Sequence, residues 1–101
     1  MLLMSLIATL VVAQPAATQP ASPGAAFAVL TQPGATGGVF DGRNWTCDEG
    51  GRCVGRGGGA EQPLSRECRR FVARIGPVSA YGRGAQNLSA EDLARCNTAA
   101  R

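Results

Sequence analysis

Four cysteines, Cys47, Cys53, Cys68 and Cys96, are the residues of this 101-residue chain whose type and spacing could do chemistry. They could form a disulfide framework, a metal centre or a thiol redox pair. Zinc sites use close cysteine pairs with two to four intervening residues, often joined by His. Here five, fourteen and 27 residues intervene, and the chain has no His. A redox pair needs the C-x-x-C spacing that lowers a thiol pKa, and that spacing is absent. Two disulfides are the reading left, with no metal or cofactor expected, and they belong to an oxidising compartment.

Other chemistry is thinly represented. Without His, neither a Ser–His–Asp nor a Cys–His arrangement can form. Asp48-Glu49 and Glu91-Asp92 are adjacent acids, but the first pair reads as a turn and the second as a helix N-terminus. Gly55-Arg56-Gly57-Gly58-Gly59-Ala60 fits G-x-G-x-x-A in letters only. A dinucleotide site needs an immediate helix and an acid about 20 residues on, so this stretch reads as a loop. An enzyme is therefore not expected. Ten Arg oppose seven acids, with no Lys, for a net charge of +3. Arg66, Arg70 and Arg74 repeat at helical spacing with Arg69 beside them, a row that could bind the phosphates of lipopolysaccharide or anionic lipid. Its plain alternative is a solvated helix face with Glu67 as a pairing partner. No aromatic residues interleave to stack bases, so nucleic acid is not an expected partner.

Compartment is read from the start of the chain. Residues 1–13 carry no charged side chain and have the length of a signal-peptide apolar region, too short to span a membrane. Val11 and Ala13 suit the small-residue positions of a cleavage site before Gln14. No basic residue precedes the run, which points to a weak signal or a start upstream. Residues 14–24 hold three Pro and no bulky apolar residue and read as a flexible linker. The domain is then 25–101, periplasmic or secreted, with no transmembrane span in the mature chain. Fifteen of the hydrophobic residues after Ala13 are Ala, so large core formers are few and a covalent staple is needed.

The elements that must position the cysteines follow from periodicity. Ala25–Leu30 predicts a strand, Gln32-Pro33-Gly34 a turn, Val39–Cys47 a second strand, and Arg52–Arg56 a third beyond a tight Gly-containing connection at 48–51. Leu64, Cys68, Phe71, Val72 and Ile75 mark one face of a helix over 64–75, closed by Gly76 and Pro77. The opposite face is assigned Arg66, Glu67, Arg69, Arg70 and Arg74. Val78–Tyr81 predicts a fourth strand. Ser89, with Asp92 three residues on and the Leu88/Leu93 pair, starts a second helix over 89–98. Four cysteines allow three connectivities. The turn at 48–51 favours Cys47–Cys53, and the inward phases of Cys68 and Cys96 favour the second pair. The expected fold is α+β, a small disulfide-stapled domain with a short antiparallel sheet packed on two helices. Trp45 is expected in its core.

The run Trp45-Thr46-Cys47, Cys53, Cys68-Arg69, Gly76 with Val78 close behind, and Cys96-Asn97 resembles a family of small exported bacterial proteins of unknown function. The resemblance covers roughly residues 43–99. It implies export and fold but assigns no residue a function, and it leaves the sequons at Asn44 and Asn87 without a role. The expected function is a non-catalytic binding or structural module of the envelope, partner unknown. Two alternatives stand beside it: an Arg-mediated binder of anionic surfaces, and a secreted inhibitor or effector acting through the Gly-rich loop 55–62.

Overall fold

A short apolar segment just after Gly24 forms the middle of the sheet. The computed structural model describes residues 24–58 and 62–100. The expected signal peptide, all but the last residue of the linker 14–24, and residues 59–61 of the Gly-rich loop lie outside the described residues. In chain order the elements are β1 (Ala26–Leu30), β2 (Gly37–Phe40), β3 (Arg43–Cys47), β4 (Arg52–Gly57), α1 (Leu64–Arg74), β5 (Val78–Arg83), β6 (Gln86–Asn87) and α2 (Ala90–Asn97). The six strands make one sheet in the order β2-β3-β4-β1-β5-β6, every neighbouring pair antiparallel. The α+β fold with two disulfides is thus observed.

Strand alternation sorts the side chains. Ala26, Ala28 and Leu30 face the core from β1, in register with Gly55 and Cys53 of β4 and with Arg83, Tyr81 and Val78 of β5. Small residues in this central strand let Cys68, Phe71 and Val72 of α1 and Cys96 of α2 approach closely. The rings of Trp45 and Phe71 lie 4.5 Å apart, and Tyr81 lies 5.7 Å from Phe71. Trp45 occupies the space over Gly55, where an added Cβ would come within 2.6 Å of its ring. Trp45 is 3% exposed and packs in the core, as expected.

Three expectations are corrected. Val39–Cys47 is not one strand: Asp41 and Gly42 both adopt positive φ (54° and 74°), the signature of a two-residue type I′ turn. That turn folds the segment into the β2–β3 hairpin, with Phe40 opposite Arg43. The expected third strand, Arg52–Arg56, runs one residue further: Gly57, read as loop, ends β4 and pairs with Arg43. A short strand, β6, pairs with β5 where no strand was expected.

Both disulfides join the expected partners. Cys47 and Cys53 are directly opposite on β3 and β4, their Cα atoms 4.0 Å apart. Cys68 and Cys96 link α1 to α2 across 5.8 Å. Ser89 caps α2 by accepting from the Asp92 backbone N–H at 3.2 Å. Past α1, Gly76 takes a positive φ and the chain turns into β5. The Asn97 side chain then binds Val78 at both backbone groups, accepting its N–H and donating to its C=O, each at 2.8 Å. α2 is tied to β5 as a strand partner would be.

Candidate functional site

The most elaborate polar assembly is buried. Glu67 is 2% exposed and Arg43 is 1% exposed. Glu67 Oε1 lies 2.7 Å from Arg43 Nε, a charge contact without a linear hydrogen bond, and Arg43 Nη2 donates to Oε2 at 3.5 Å. Arg83 Nη1 donates to Oε2 at 2.8 Å, and the Tyr81 hydroxyl donates to Oε1 at 2.9 Å. One carboxylate thus receives two guanidinium groups and a phenol, the satisfaction a buried charge requires. Burial, then the adjacent Glu67 carboxylate, pushes the Tyr81 hydroxyl far above the ordinary phenol range and holds it protonated.

The arginines also order backbone. Arg43 Nη1 donates to the carbonyls of Gly24 at 2.8 Å and Gly57 at 2.9 Å. Arg83 Nη1 donates to the carbonyl of Gln62 at 2.8 Å. The network therefore fastens the chain at both Gly57 and Gln62, on either side of the glycine-rich stretch. It joins β3, α1 and β5 through charge, and its chemistry is positional.

Glu67 is the residue misplaced from sequence. Its charge places it on the solvated Arg face, yet it lies three residues after Leu64 and four before Phe71, on the apolar stripe. That phase was the available signal. The charge of the side chain hid it, and its partners, Arg43 and Arg83, are distant in sequence. Neither arginine carries a sequence signal that marks it for a site.

The row on α1 is exposed but not uniform. Arg70 pairs with Asp41 at 2.9 Å. Arg74 places its guanidinium 5.3 Å over the Phe40 ring. Among the described residues, no ion pair involves Arg66 or Arg69, and both are exposed. Arg70, Arg74, Ala73, Phe40 and Asp41 line a shallow cleft of about 490 Å³ between α1 and the β2–β3 turn. The four sequence-assigned arginines thus divide into two that border a cleft and two that face solvent.

The four cysteines are all consumed in disulfides. Among the described residues no group of three or more Cys, Asp or Glu could hold a metal ion. No helix of the described residues is long and apolar enough to cross a membrane. Residues 6–98 match a family described as a family of unknown function (DUF8200). No curated protein and no solved structure matches the chain.

Proposed function

The chain belongs to this family of unknown function, and from that premise we propose an exported, non-catalytic binding or structural module of the bacterial envelope, periplasmic or secreted. One observation carries the reading. The best-connected polar group is turned inward: Glu67 engages Arg43, Arg83 and Tyr81, and every cysteine is in a disulfide. Among the surfaces left outward are a cationic helix face and a sheet edge, both suited to contact. Disulfides are compatible with an oxidising compartment, and the apolar run 1–13 has the composition of an export signal.

Mass spectrometry of periplasmic and secreted fractions, without reduction, tests the compartment. The expected species begins at Gln14 and carries both disulfides. A full-length cytosolic species with free thiols would sink the reading. Affinity capture from the envelope tests the module, with one stoichiometric envelope protein as the expected result.

A second reading, binding to anionic surfaces, is favoured by Arg66 and Arg69, which are exposed with no ion pair among the described residues. Arg66→Ala/Arg69→Ala should abolish low-salt retention on phosphatidylglycerol vesicles. Unchanged retention would exclude these two residues as the contact.

A further inference from the structure

We propose that the free edge of β2, with the cleft beside it, docks an extended acidic peptide segment of a partner protein. The proposal rests on the binding-module reading and names the chemistry of its partner.

Three observations converge. First, β2 is a terminal strand of the sheet, so among the described residues one of its edges has no strand partner. Antiparallel pairing alternates along a strand. Cys47 donates its N–H to Thr36 C=O, which makes Thr36, Gly38 and Phe40 the residues that bond to β3. Val39 therefore directs its N–H and C=O away from the sheet. Second, the approach is open. Val39 is 76% exposed, and Gly37 and Gly38 carry no side chain to fend off an incoming backbone. An exposed edge of this kind is a template for strand addition. Third, the neighbouring charge is complementary. Arg70 and Arg74 line the adjoining cleft against the single carboxylate of Asp41, with Arg66 and Arg69 on the same helix.

These observations set a register. The peptide residue opposite Val39 lies on the open face of the sheet and suits an aliphatic side chain. Its neighbours, opposite Gly38 and Phe40, face α1. An acidic side chain opposite Phe40 meets the Arg74 guanidinium that lies over that ring. The matching sequence alternates acidic and aliphatic residues. A second copy of this chain fits less well, because edge-to-edge pairing about Val39 would bring two sets of Arg70 and Arg74 together.

The test uses the oxidised full chain, labelled with ¹⁵N, and an acetylated peptide alternating Glu and Val. Hydrogen exchange at the Val39 amide should slow on peptide addition. Arg74→Ala should weaken binding about tenfold or more. A peptide N-methylated at its Val residues, which leaves the protein untouched, should lose binding to the same degree. Equal binding of the N-methylated peptide would overturn strand addition. Slowing of exchange at Val39 with protein concentration alone would assign the edge to a second copy and overturn the proposal. So would phosphatidylglycerol vesicles that occupy the cleft while the peptide does not bind. If the peptide fails but an envelope protein still co-purifies, only this site is wrong; if both fail, the module reading falls with it.

Discussion

Glu67 accepts from three side chains that no local signal brings together, and its replacement should be among the most damaging single changes. Glu67→Gln leaves the Arg43 guanidinium, 1% exposed, without its counter-charge. Removing one partner of a buried pair typically costs about 3–5 kcal/mol, so the urea midpoint should fall steeply. Tyr81 offers a cleaner probe because of what the chain lacks. It is the single Tyr, there is no Lys, and no cysteine is free. Burial, then Glu67, raises its folded pKa above the ordinary value of 10.0. The unfolded chain therefore releases the phenolic proton first as pH rises. Stability from this source is complete below pH 10 and declines above it. Unfolding free energy measured from pH 8 to 12 should fall beyond pH 10, and Tyr81→Phe should flatten that fall.

At the scale of the element, a side chain acts as a strand. Asn97 meets both backbone groups of Val78 at 2.8 Å, and Asn97→Ala would leave Val78 N–H without this acceptor. The expected loss is about 1–3 kcal/mol, read by urea unfolding, with Asn97→Asp intermediate because it keeps the acceptor alone. The helices were readable in sequence because their signals are local: a 3.6-residue stripe for α1, and Ser89 with Leu88 and Leu93 for α2. The disulfides were readable for the same reason, since a turn and two helix phases aim the sulfurs. The β2–β3 hairpin is hidden in the sequence although its turn residues, Asp41-Gly42, are a standard hairpin pair. The residues around them join into one plausible strand, so length outweighed the turn. The buried network was unreadable for a different reason. Whether a charged residue at position 67 is solvated or enclosed depends on Arg43 and Arg83, which only the sheet register brings beside it. As for the candidate site, the exposure of the Arg row was legible, but its division by Asp41 and Phe40 was not.

For the whole molecule, the two disulfides contribute unequally. Cys47–Cys53 closes a separation of 6 residues and Cys68–Cys96 one of 28. Loop-closure entropy gives about 2.2 and about 3.6 kcal/mol respectively. Cys68→Ala/Cys96→Ala should therefore lower the urea midpoint more than Cys47→Ala/Cys53→Ala. An equal loss would mean that residual structure in the unfolded chain already holds the 68–96 loop partly closed. The placement of β1 has a consequence in time. It is the first strand of the described fold to be synthesised, yet it occupies the middle of the sheet, and Ser79 meets Val29 across 50 residues of sequence. Until β5 has emerged, β1 lacks one of its two neighbours and the core lacks Tyr81 and Val78. Contacts this distant form late. A nascent chain halted at Ile75 should therefore remain protease-sensitive, whereas one extended to Ala100 should not. The order of the strands therefore postpones completion of the core until β5 has been made.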